Sequence, residues 1–240
     1  MTIERVIVAL RERLSQPLSL GEMADIACLS PFHFNRVFRR TTGIPPYEFL
    51  ASLRMDAARR VLLTSDLSVT DVCFELGYGS LGTFTSRFAQ RIGLPPGQLR
   101  RQAETFAPPA RTAPDDEYAA RVLPWHHAAG LSGRIEAPPE FDGLIFVGLF
   151  PSAVPQGPPV AGTLLTMPGA YHLRPVPAGR YHLLVAAVPH AAGARGYLLP
   201  GDNILIATSE RPVVVRDGLP PARRDVWLRR PRLIDPPVLV

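Results

Sequence analysis

The sequence predicts a multidomain α and β chain. An all-α first part is built from two copies of a short helix, a tight turn and a longer helix; an all-β antiparallel sandwich follows. Three observations carry this. Apolar residues recur at helical spacing up to about residue 103 and in short, turn-bounded runs beyond about 131. Of the 27 prolines, 21 lie after residue 105. Most specifically, the residues from Leu18 to Pro46 are spoken again from Leu67 to Pro96, with a period of 49 to 50.

Ile3, Val6, Ile7, Leu10 and Leu14 mark the inner stripe of a first amphipathic helix. Ser19 opens a second, with Glu22 three residues on as a capping box and Leu20, Met23, Ala24 and Ala27 inward. Ser30-Pro31 starts a third, proline standing at its first helical position. Phe34, Val37 and Phe38 form its core stripe, and Gly43 stops it before Pro45-Pro46. A long helix is expected from about 46 to 63, with Met55, Ala58 and Leu62 on one face.

The second copy follows the same order. Leu67-Ser68-Val69 matches Leu18-Ser19-Leu20, and Val72 with Leu76 matches Met23 with Ala27. After one extra residue, Ser80, Phe84, Phe88, Gly93, Pro95 and Pro96 match Ser30, Phe34, Phe38, Gly43, Pro45 and Pro46. Each copy is a helix-turn-helix. Such a unit pins its second helix so that the outer face can enter the major groove of double-stranded DNA. In the first copy, the helix near 31–41 presents Phe32, His33, Asn35, Arg36, Arg39 and Arg40. Asparagine pairs bidentately with adenine, arginine with guanine, and an aromatic can meet a thymine methyl. Arg39 and Arg40, near the helix end, suit phosphates. The helix near 80–91 offers Ser80, Leu81, Gly82, Thr83, Ser86 and Arg87, a face poorer in long polar chains, with Arg87 as its expected anchor. Successive major grooves lie about 34 Å apart, and the helix from 46 to 63 is the expected spacer.

These residues resemble the AraC/XylS-type DNA-binding domain, the two-unit module that also stands alone in MarA-like regulators. The match runs over residues 1–102. It rests on Leu18-Ser19-Leu20, the stretch from Ser30 to Phe38, Gly43 with Pro45-Pro46, Leu53-Arg54-Met55, Ala58, Leu62, Gly77-Tyr78, Phe84, Phe88 and Gly93-Leu94-Pro95-Pro96. The resemblance implies that Phe32, Asn35 and Arg36 read bases in the first helix and Gly82, Thr83 and Ser86 in the second. It also implies promoter or operator DNA and RNA polymerase as partners. The family commonly carries arginine where Ser86 stands and an apolar residue where Arg87 stands, so the second helix departs from the pattern. Its usual domain order is also reversed here, so sugar-sensing knowledge does not transfer.

The stretch from Phe106 to Asp116 reads as a linker, giving boundaries of 1–105, 106–125 and 126–240. Beyond it, strands are expected at about 131–137, 144–150, 160–167, 171–176, 180–188, 203–208, 213–216 and 225–228, with no helix after about 121. Gly169 to Leu173 followed by Val176 to Val185 resembles the transthyretin-like or carboxypeptidase-regulatory-like β-sandwich. Tyr171, His172, Tyr181, His182, Tyr197 and Trp227 offer the makings of a pocket. Strict alternation instead puts Tyr171 and Tyr181 in the core and both histidines on the opposite, wet face. This part is expected to be an effector-binding or assembly module, supporting a homodimer.

Composition excludes several classes. All 26 residues of the lysine-plus-arginine class are arginine, which removes a Walker-type phosphate loop and any lysine nucleophile. The net charge of +5 suits nucleic acid. Cys28 and Cys73 lie in apolar helix patterns and read as buried small hydrophobes. That argues against the reactive cysteine by which some proteins with this module repair alkylated DNA. Arg59-Arg60 and Arg100-Arg101 read as solvated faces, and His126-His127 has no metal-ligand spacing around it. No apolar run is long enough to span a bilayer and no signal peptide is visible, so a cytoplasmic protein without a metal, cofactor or enzymatic activity is expected. The alternative is a constitutive MarA-like binder whose second domain only mediates protein interactions.

Overall fold

In a computed structural model, the chain folds as two units. The first comprises residues 1–105 together with 232–240, and the second 106–231. The structure describes residues 2–106, 129–201, 203–209, 211–217, 219 and 221–239. The linker beyond Phe106 and the His126-His127 pair lie outside them. The last nine residues, read from the sequence as part of the second domain, belong with the first unit.

Among its described residues the first unit has seven helices: α1 (Thr2–Glu12), α2 (Leu20–Ile26), α3 (Pro31–Thr42), α4 (Pro46–Thr64), α5 (Val69–Glu75), α6 (Leu81–Ile92) and α7 (Pro96–Thr105). Their ends are set by local chemistry that repeats. Ser19 caps α2 and Ser68 caps α5, each closing a reciprocal box with the acid three residues on, Glu22 and Asp71. Ser30 and Ser80 cap α3 and α6 by accepting from the His33 and Thr83 amides. Gly43 and Gly93 end those two helices with φ of 82° and 89°, the left-handed conformation that glycine adopts without a Cβ penalty.

Each repeat closes around its own aromatics. Phe34 meets Phe38 edge-on at 5.5 Å, and Phe38 meets Phe49 at the same separation. In the second copy Tyr78, Phe84 and Phe88 stack in series at 5.3 and 5.8 Å. Such pairs add about 0.5–1.5 kcal/mol beyond the area they bury. Val37, expected inside, is half-buried at the rim.

Arginines fix α4 against its neighbours. Arg54 donates to the Leu14 and Gln16 carbonyls, Arg91 of α6 reaches Ser52 and Glu48, and Arg100 of α7 donates to Leu62 and Leu67. Arg100 therefore caps the carbonyl end of α4 instead of lying on a solvated face. Arg59 departs further from that expectation: it is only 4% exposed.

The second unit is built from β1 (Leu131–Glu136), β2 (Gly143–Phe150), β3 (Ala161–Leu165), β4 (Ala170–Leu173), β5 (Gly179–Pro189), β6 (Leu205–Thr208), β7 (Val213–Val215), β8 (Ala222–Arg223) and β9 (Val226–Trp227). One sheet runs β4-β1-β8, with β9 also on β1; the other runs β3-β2-β5-β6, with β7 also on β5. Leu131, Ile135, Tyr171 and Leu173 of the first sheet share one core with Ile145, Val147, Leu149, Leu183 and Val185 of the second. β2 is buried on both faces, which is why Leu144 to Phe150 reads as a continuous apolar run.

Two expectations fail here. Ladders are not all antiparallel, because β8 and β9 pair with β1 in parallel. Nor is helix absent after 121: a 3-10 turn at His190–Ala192 leads into α8 (Gly193–Leu198). That turn is tied down where His190 Nδ1 meets the Tyr197 hydroxyl at 2.7 Å.

Candidate nucleic-acid interface

The inward stripe of α3, Phe34 and Phe38, is fully buried, which fixes the helix about its axis. The opposite face then carries Phe32, His33, Asn35, Arg36, Arg39 and Arg40, all exposed. Phe32 is 82% exposed, a large apolar ring left in water at the first turn of the helix. Exposed apolar surface is unfavourably hydrated, and a partner that took the ring out of water would recover that free energy. The side chains of Arg36, Arg39 and Arg40 make no hydrogen bond or ion pair with any other described residue. The contrast with Arg54, Arg91 and Arg100, each committed to carbonyls or acids, is the main electrostatic feature of the unit.

The second helix is oriented in the same way by Phe84 and Phe88, so that Ser80, Leu81, Gly82, Thr83, Ser86 and Arg87 are exposed. They are not equally available. The Ser80 hydroxyl oxygen is engaged as the helix cap by the Thr83 amide. Arg87 stands at the Tyr78 hydroxyl, where burial pushes the phenol up while the Arg54, Arg87 and Arg91 guanidiniums pull it back down. Leu81 is 39% exposed at the mouth of the turn. One residue escaped the sequence reading: Phe74 on α5 is 57% exposed where the first copy has Asp25. An aromatic breaking the polar side of a short helix was the available signal.

The turns preceding the two outward helices are built alike. Cys28 has φ 55° and Gly77 φ 76°, and the amides that follow them, Leu29 and Tyr78, reach back to the Ala24 and Cys73 carbonyls at 3.0 and 3.1 Å. Cys73 is buried, and desolvation raises its thiol pKa. Cys28, expected inside, is exposed because the left-handed turn residue faces outward.

In the second unit, Tyr171 and Tyr181 are core residues, as alternation along the strands requires. The Tyr171 hydroxyl donates to the Arg224 carbonyl at 2.8 Å, and burial shifts its ionisation far upward. His172 is exposed; His182 is half-buried, its pKa lowered by desolvation first and by Arg180 second. Trp227 is 61% exposed, and Tyr197 is bonded to His190. Among the described residues, no three of His, Cys, Asp or Glu gather as a metal site. No helix among them is long and apolar enough to cross a membrane.

Residues 23–102 match the helix-turn-helix domain family. A transcriptional activator of Providencia stuartii, AarP, is 30% identical over 98 residues, covering 41% of this chain and 73% of that protein. The chain belongs to the AraC family of helix-turn-helix transcription regulators. This AraC-type chain is also 35% identical over 82 residues to the transcriptional regulator Rv1931c of Mycobacterium tuberculosis, covering 34% of this chain and only 32% of that protein. The DNA-binding domain of AdpA, solved with a target DNA, is 29% identical and aligns with a TM-score of 0.42 over 43% of this chain and 94% of that one. The residues of the family match, 23–102, lie within the first unit.

Proposed function

We propose that this AraC-type regulator reads specific duplex DNA through α3 and α6, placed in successive major grooves by α4. The observation that carries the reading is the α3 outer face: three arginine side chains without a partner among the described residues, beside an exposed Phe32 and Asn35. Arg36 and Asn35 sit two turns or less from the helix start and take the base-reading roles, with Phe32 against a thymine methyl. Arg39 and Arg40 take phosphates. His33, whose amide is engaged by Ser30, lies beside them at the backbone. On α6, Leu81, Gly82 and Thr83 make close apolar and main-chain contacts, Ser86 reads a base edge, and Arg87 anchors a phosphate. The 19 residues of α4 span about 28 Å, the scale of one helical turn of duplex.

The two sheets sharing one core support reading the second unit as a β-sandwich. Its proposed role is effector binding or assembly as a homodimer, with RNA polymerase as the partner at a promoter and the cytoplasm as the site of action. A chain that bound DNA identically with and without any metabolite would be a constitutive MarA-like binder instead.

Selection of duplexes from a random pool by the full chain tests the reading. Enrichment of one motif with two short half-sites is the expected result; a pool that stays random after several rounds contradicts it.

A further inference from the structure

The last residues of the chain belong to the DNA-reading unit, and the details of their seat are specific. Leu239 is 1% exposed and joins the core of the second repeat with Met55, Ala58, Leu62, Phe84 and Phe88. The Val238 carbonyl accepts a hydrogen bond of 2.9 Å from Arg59 Nη2, a contact between residues 179 apart in the chain. Arg59 is a buried cation in the spacer helix, with one nitrogen on Asp56 Oδ1 at 2.8 Å and its Nε without a partner among the described residues. A buried guanidinium needs hydrogen-bond acceptors to offset its lost hydration, and the tail supplies one.

The approach to this seat is pre-shaped. The Arg232 amide donates to the Asp235 carboxylate and the Asp235 amide to the Arg232 carbonyl at 3.0 Å, a closed turn. Pro236-Pro237 then holds the chain extended, which lowers the entropy lost on docking.

The repeat explains why the second core has room. Ile7, Leu10 and Leu14 of the first copy and Met55, Ala58 and Leu62 of the second share the spacing i, i+3, i+7. Where the first copy buries Leu10, the second buries only the methyl of Ala58. A leucine side chain from the other end of the sequence enters that same core.

We propose that the second helix-turn-helix carries a peptide-binding groove for the chain's own C-terminal segment, and that docking of residues 232–239 positions α6 for DNA. Leu239 and Arg59 are thus positioning residues, acting through α4 and α6 and not on DNA itself. The consequence for DNA rests on α6 reading a groove; the docking does not.

The test uses the full chain with Leu239→Asp and the conservative Leu239→Met, read by amide hydrogen exchange without DNA. In Leu239→Asp, amides of α5 and α6 should exchange at least tenfold faster, while those of α2 and α3 stay within twofold. Leu239→Met should restore parent rates, and a synthetic peptide of residues 232–240 added to Leu239→Asp should slow α5 and α6 again. Unchanged exchange in α5 and α6, or equal acceleration in both repeats, would overturn the proposal. If Leu239→Asp fails to fold, Leu239→Ala must show the same localisation at smaller amplitude, and equal acceleration there overturns it. Exchange that depends on protein concentration would seat the tail on a second copy and overturn the intramolecular form. Localised acceleration with undiminished DNA affinity supports the docking and overturns the claim that it positions α6 for DNA.

Discussion

Cys28 and Gly77 occupy the same place in two copies of one turn: both are left-handed, at φ 55° and 76°, and each is followed by an amide that closes five residues back. Only one of them is the residue the geometry favours. A non-glycine residue in this conformation costs roughly 1–2 kcal/mol, whereas glycine gives some of that back through its freer unfolded chain. Cys28→Gly should therefore stabilise the protein by about 0.5–1 kcal/mol. Gly77→Ala should do the reverse, since its Cβ would lie 2.2 Å from the Ser15 carbonyl oxygen besides the strained φ. A loss above about 2 kcal/mol is expected. Urea midpoints of the two variants against the parent check both signs.

The α3 face predicts two kinds of arginine loss. Arg36→Ala should cost about 1–3 kcal/mol on the selected site and relax preference at one base-pair position. Arg40→Ala should weaken selected and random duplexes alike and reduce the salt slope by about one. Parallel titrations on both duplexes over a salt series separate the cases. Equal losses on both duplexes for Arg36→Ala would place it on the backbone.

Glu22 gives a pH dependence with a definite sign. Hydrogen bonds from the Ser19 amide and hydroxyl hold its pKa below the ordinary 4.5. A group whose folded pKa is depressed stabilises above the unfolded value and loses that contribution as pH falls through the folded one. The stability difference between the parent and Glu22→Gln should thus be constant above about pH 5 and narrow steadily below pH 4.5. Denaturant midpoints from pH 7 to 3 measure it; a gap that widens in acid would reverse the assignment.

In the second unit, Tyr171→Phe removes the buried hydroxyl that satisfies the Arg224 carbonyl. The orphaned acceptor should cost about 1–3 kcal/mol. Thermal unfolding resolves a shift of that size, and the transition of the first unit should stay in place.

What could be read in the sequence was what is local or repeated. Ser19 with Glu22, Ser30 with Pro31, and Gly43 before Pro45-Pro46 each declare a helix end within four residues. The burial of Phe34 and Phe38 at four-residue spacing declared which α3 side chains would face outward. What escaped was non-local or too short to have a period. Arg59 resembles any surface arginine until Val238 is brought to it from 179 residues away. The parallel pairing of β8 and β9 involves two residues each, and α8 has six. Cys28 misled because its turn role is a property of φ, not of composition.

The central claim is that α3 and α6 present two reading faces to one duplex. Hydroxyl-radical footprinting of the full chain on its selected site measures this directly. Two protected patches about ten base pairs apart on one side of the helix are expected, with Arg36→Ala weakening only one of them. A single patch, or uniform protection around the duplex, would contradict it.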